Sequence, residues 1–189
     1  MNKGKIIFLN GVSSSGKTTL TRVLQNKLDE PYYWLSLDAF FNMSAEKFCN
    51  NDWAETEYQA ISLLNNTIKL FSDLGKNVIV DHVMLSVQKG EILRECVDLL
   101  YDYPVLFVHV TCSSIDELRR REKARGDRNI GQAEEQITLL VPQATYDIIV
   151  DTYANTTEEC ADKIINLLND TDSVRTFKKL HEGGKVFWR

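Results

Sequence analysis

A chain of 189 residues, 43% hydrophobic and 26% charged, has the size of one domain with a well-buried core. Its net charge of −5 argues against a nucleic-acid binder, which carries a basic footprint. No apolar run is long enough to span a membrane, and the one near the start is too short for a signal peptide, so a cytoplasmic protein is expected.

The elements alternate along the chain. "KIIFLN" (5–10) reads as a buried strand, and 17–28 as a helix with Leu20, Val23, Leu24 and Leu28 on one face. Pro31 breaks the chain before a second strand, "YYWLSL" (32–37), which ends at Asp38. Residues 38–52 have no clean period and read as an irregular segment or short helices. A long helix follows over 53–74, stopped at Gly75, and then a third strand, "NVIVD" (77–81). A helix over 88–101 turns Ile92, Leu93, Cys96, Leu99 and Leu100 inward.

"PVLFVHVTC" (104–112) is the fourth strand, and the next helix starts at Ser113 or Ser114 as N-cap. A short helix is expected over 131–141, ended by Pro142, and a fifth strand over 146–152. The last helix, 156–170, is capped by Thr156 or Thr157 with a glutamate close behind. Five strands separated by helices imply an α/β fold, a parallel sheet covered on both faces. The basic tail, 171–189, either packs through Phe177, Phe187 and Trp188 or stays mobile. The whole chain, 1–189, is read as a single domain.

Gly11-Val12-Ser13-Ser14-Ser15-Gly16-Lys17-Thr18-Thr19 fits G-x-x-x-x-G-K-[ST] between a buried strand and a helix. Glycines let the backbone curl so that N–H groups surround phosphates, and the helix start adds a positive dipole end. Lys17 brings a charge to the outer phosphates, and the Thr18 hydroxyl suits Mg²⁺. ATP and Mg²⁺ are the expected cofactors. The four cysteines, Cys49, Cys96, Cys112 and Cys160, form no CxxC pair and read as reduced, mostly buried thiols.

Ligands of open α/β sheets bind beyond the carboxyl ends of the strands, where Asp38 and Asp81 are expected. Asp38 is read as the base for an attacking hydroxyl, and Asp81 as a metal or substrate contact. The blander reading makes each a helix cap. In "RRREKARGDR", Arg119 and Arg120 read as solvated, whereas Arg125 and Arg128 lie in a lid, about 121–132, that would close over the phosphates. Phe40, Phe41, Phe48 and Trp53 would wall an apolar acceptor pocket beside Asp38, with core packing as the alternative.

These residues together resemble the chloramphenicol phosphotransferase family, small P-loop kinases of the nucleotide-kinase-like group. "IIFLNGVSSSGKTTL", "WLSLDAF", "VIVDHVML", "REKARGDRNIGQAEEQ" and "YDIIVDTYANTTEECADKI" are similar to that family's successive motifs, from about Lys5 to Leu168. The resemblance implies a three-layer fold with strand order 2-3-1-4-5. It also implies transfer of the ATP γ-phosphoryl group to a primary hydroxyl of chloramphenicol, with Asp38 as catalytic base. Lys17 and Thr18 match its phosphate and Mg²⁺ contacts, and Arg121, Arg125 and Arg128 its lid arginines. The chain departs from the family in having Asp81-His82 where two adjacent aspartates are usual, and in a shorter stretch between Asp38 and Asp81. Another acceptor (a nucleoside, a sugar or a nucleic-acid end) is the alternative within kinase chemistry. A nucleotide-binding module without phosphotransfer is the alternative outside it; a guanine-reading switch would require N-K-x-D, and none is read in the chain.

Overall fold

A computed structural model of the chain describes residues 2–47, 52–85, 91–126, 129–140, 145–169 and 176–183. Five strands, β1 (Ile6–Asn10), β2 (Tyr32–Ser36), β3 (Asn77–His82), β4 (Val105–Thr111) and β5 (Ile148–Asp151), form one sheet in the order β2-β3-β1-β4-β5. Every pairing is parallel. The helices between them are α1 (Lys17–Lys27), α2 (Leu37–Phe41), α3 (Trp53–Asp73), α4 (Glu91–Leu100), α5 (Ile115–Arg125), α6 (Gln132–Ile137), α7 (Thr157–Leu168) and α8 (Thr176–Glu182).

Successive strand residues point to opposite faces, and here both faces are apolar. Ile6, Phe8, Val78, Val80 and Phe107 build one core with α3, α4 and α8. Ile7, Leu9, Ile79, Leu106 and Val108 build the other with α1 and α7. A third, small cluster joins Val12, Cys112, Leu118 and Ala133 behind the loop that follows β1.

Several boundaries differ from the sequence reading for local reasons. β2 ends at Ser36, not Leu37, because the Ser36 side chain accepts the Ala39 N–H at 3.2 Å and caps α2. Of the two serines before α5, Ser114 is the cap, accepting the Glu117 N–H. Thr156 caps α7 in a reciprocal capping box with Glu159. β5 begins at Ile148, and the preceding Asp147 side chain instead accepts the Phe107 N–H at 2.8 Å and both the N–H and hydroxyl of Thr176. That carboxylate anchors part of the tail, since α8 buries Phe177 and Leu180 in the first core. Phe48, Cys49, Arg128, Pro142, Phe187 and Trp188 lie outside the described residues.

Candidate active site

The loop between β1 and α1 takes its shape from its glycines. A Cβ on Gly11 would lie 2.1 Å from the Val110 carbonyl oxygen, so only glycine lets the chain leave β1 this close to β4. Gly16 has φ +99°, a left-handed conformation that brings the first turn of α1 under the loop. The loop's carbonyls are held from outside. Arg121 Nη1 donates to Ser14 O at 3.3 Å, and the Thr152 hydroxyl donates to Ser15 O at 2.7 Å. Lys17 Nζ donates to the carbonyls of Gly11 and Val12 at 2.9 and 2.8 Å.

With the Ser14 and Ser15 carbonyls held by Arg121 and Thr152, the loop can aim N–H groups at a ligand. The hydroxyls of Ser13, Ser14 and Ser15 are buried and have no hydrogen-bond partner among the described residues. Orphaned hydroxyls, backbone donors at a helix start and a buried ammonium fit the oxygens of a polyphosphate. Thr19, also expected at the loop, is exposed on the first turn of α1.

Asp81, next to last in β3, faces the loop. Its Oδ2 accepts the Thr18 hydroxyl at 2.9 Å, and its Oδ1 lies 3.9 Å from Lys17 Nζ. The helix-cap alternative therefore does not hold for Asp81. A hydroxyl and a carboxylate are oxygen ligands suited to Mg²⁺. Among the described residues there is no cluster of three or more His, Cys, Asp or Glu, so a cation here would take its other ligands from phosphate and water. Asp38 is exposed in the first turn of α2. The register pairs Ser36 with Asp81, and Asp38 follows two residues beyond, at the same carboxyl end of the sheet.

The arginines separate by position. Arg120 pairs with Glu117 on its own helix, and Arg119 reaches Glu134 of α6 at 2.6 Å. Hydrogen bonds from Arg120 and Arg121 pull the Glu117 carboxyl down to about 2. Arg121 is turned toward the loop and also holds Thr152, through Oγ1 at 2.9 Å and O at 3.2 Å. Arg125 ends α5, and Gly126 follows as its C-cap.

Three contributors escaped the sequence reading. Glu122, fully buried, accepts the N–H groups of Gly131 and Ala133 at 2.8 and 2.7 Å and fastens α6 to α5. Gln136 of α6 accepts the Ser13 N–H at 2.7 Å. Thr152 had a legible signal, a hydroxyl just past a strand end; Glu122 sat in a helix that reads as charged all round, and Gln136 had no signal.

Phe40 and Phe41 are half-buried against the first core, which favours their packing role. Phe41 also meets Trp53 at a ring separation of 6.0 Å, and Trp53 is 58% exposed. Beneath the loop, the register aligns His82, Asn10 and His109 across three strands. Asn10 donates to Tyr146 Oη at 2.8 Å and exchanges bonds with the Met84 backbone. Burial lowers His82 to about 4 and also lowers His109, with the Lys17 charge adding to both. The string N-K-x-D does occur, at Asn26–Asp29, contrary to the sequence reading. It closes α1 at the end remote from the loop, about 16 Å along the helix, where Lys27 pairs with Asp162.

Comparison with known proteins agrees with this geometry. A protein of Mycobacterium tuberculosis, provisionally named an O-phosphotransferase, is 28% identical over 85% of this chain and 80% of its own. An adenylyl-sulfate kinase of Clostridium acetobutylicum is 26% identical over 88% of this chain and 84% of its own. The structure of the M. tuberculosis APS kinase, solved with AMPPNP and APS, superposes with a TM-score of 0.67 at 18% identity, over 89% of this chain and 99% of that one. The fold is thus that of P-loop kinases. The description chloramphenicol phosphotransferase-like protein matches residues 4–169, and the chain belongs to that family.

Proposed function

We propose that the protein transfers the γ-phosphoryl group of ATP to a hydroxyl of a small molecule, chloramphenicol or a similar acceptor. The observation that carries this reading is the joining of Thr18 and Asp81 at 2.9 Å, with the Lys17 ammonium beside them, at the strand ends that also lead to Asp38. Lys17 and the loop N–H groups bind the polyphosphate and hold its end phosphoryl in line with the acceptor. Thr18 and Asp81 would hold Mg²⁺, whose charge would supply electrostatic stabilisation of the leaving group. Asp38 takes the proton from the attacking hydroxyl as its oxygen bonds to the γ-phosphorus, the bond from that phosphorus to the β–γ bridging oxygen breaks, and ADP leaves.

Arg121 supports the loop on the nucleotide side. Arg125 and Arg128, at the lid, close over the transferring group, offset its charge and exclude water that would hydrolyse ATP. Trp53, with Phe41 behind it, offers the acceptor an apolar wall. A second acceptor class, an adenylylated or other nucleoside, is favoured by the adenylyl-sulfate kinase relative.

The test is incubation with Mg-ATP and a panel of chloramphenicol, nucleosides, adenylyl sulfate and sugars, read by mass spectrometry for an added phosphate. Chloramphenicol phosphate is the expected product. A different modified acceptor would keep the chemistry and replace the substrate. The Asp38→Asn variant is expected to lose about 10²–10⁴ in turnover with nucleotide affinity nearly intact. Unchanged turnover in that variant would remove Asp38 from the base role.

A further inference from the structure

We infer that Gln136 is a positioning residue that reads the outermost phosphate of the nucleotide, making the site selective for a triphosphate over a diphosphate. This rests on the phosphoryl-transfer reading above. The Gln136 carboxamide reaches across 123 residues of sequence to take the Ser13 N–H at 2.7 Å. That N–H belongs to the phosphate loop, so this bond holds the carboxamide against the cradle. The orientation of the carboxamide is fixed chemically, because an N–H needs an acceptor and only Oε1 can supply it. Its Nε2 is on the same planar group and is therefore kept beside the Ser13 N–H.

The position of α6 decides which phosphate is read. At its start, Glu122 binds Gly131 and Ala133 to α5, and Arg119 pairs with Glu134. Just past its end, Leu140 forms an antiparallel bridge with Leu85, three residues beyond β3. The helix therefore runs from its joint with α5 toward the segment that follows β3. Gln136 lies in the last turn of α6, at the end that leads to the Leu85 bridge. The terminal phosphoryl must face that side to meet the acceptor hydroxyl. Ala133 packs with Val12 and Leu118, so the helix that carries Gln136 is seated rather than loose. Nε2–H donors held there would meet an oxygen of the third phosphate and have nothing to bind when it is missing.

Two variants separate reading from tethering. Gln136→Met keeps the length and loses all hydrogen bonding. Gln136→Glu keeps an acceptor for the Ser13 N–H, but it has no donor and adds a charge facing the phosphates. Titration calorimetry would compare a non-hydrolysable ATP analogue with ADP, both with Mg²⁺. The ratio of the two affinities is expected to fall about 10-fold in the Met variant and about 100-fold in the Glu variant, with ADP affinity altered less than about 3-fold. Melting temperature should be retained in the Glu variant.

If the Glu variant keeps the wild-type ratio, Gln136 is only a tether and the inference is wrong. Tighter binding of both nucleotides in the Met variant would make Gln136 a plug, which also overturns it. Wild-type protein that binds neither nucleotide would overturn the phosphoryl-transfer reading itself, and the inference with it.

Discussion

Single residues near the loop divide into those a sequence can announce and those it cannot. Gly11, Gly16, Lys17 and Thr18 are announced by their spacing, because a phosphate cradle needs those residue types in that order. The reason for Gly11 is nevertheless non-local: it is the Val110 carbonyl on β4. Gly11→Ala must push β1 and β4 apart or deform the loop. Its expected cost is about 1–3 kcal/mol of stability, visible as a lowered melting temperature, with strongly weakened ATP binding in the same sample. A variant that melts and binds as wild type would contradict that account. Gln136 is the opposite case, an ordinary polar residue in sequence whose partner lies on another element.

At the scale of elements, hydrophobic period placed all five strands and most helices, while the ends were decided by caps and side-chain contacts. Strands β1 and β4 were legible because both faces are buried, giving unbroken apolar runs. The start of β5 was misjudged because Asp147 takes backbone N–H groups from its neighbours rather than extending the strand. Charge pattern gave α5 its arginines but hid Glu122, which faces inward among them. In Glu122→Gln, one acceptor becomes an amide donor facing a backbone N–H. The α5–α6 joint should then loosen, with hydrogen exchange at Gly131 and Ala133 faster by about 10-fold or more, since an unsatisfied buried group costs about 1–3 kcal/mol. Exchange within β1 should stay slow. Equal acceleration in both places would show that Glu122 supports the whole fold rather than one joint.

At the scale of the whole molecule, alternation of strands and helices implied a parallel sheet, but the order of its strands came from family resemblance, since periodicity carries no neighbour information. The sheet also buries His82 and His109 together at the carboxyl ends of β3 and β4. Burial is the main cause of their lowered values, and Lys17 adds to it. The unfolded chain would titrate near the ordinary 6.5, so it takes up protons before the folded one as pH falls. Stability is then complete above about pH 6.5 and is lost as pH drops toward 4, by about 3 kcal/mol for His82. Carboxylates held low, such as Glu117 and Asp151, withdraw their contribution only at lower pH. Urea midpoints at pH 7 and pH 5 should therefore differ in the native chain and differ less in His82→Phe. Equal differences would mean that the imidazoles are not the source.

The two cores share one sheet but not one thiol. Cys96 sits in the layer under α3 and α4, and Cys160 in the layer under α1 and α7, both fully enclosed. Burial also holds both thiols above their usual ionisation range, which keeps them from forming the reactive anion. Each half of the protein thus carries its own silent sulfur, which an alkylating reagent meets only when that half comes apart.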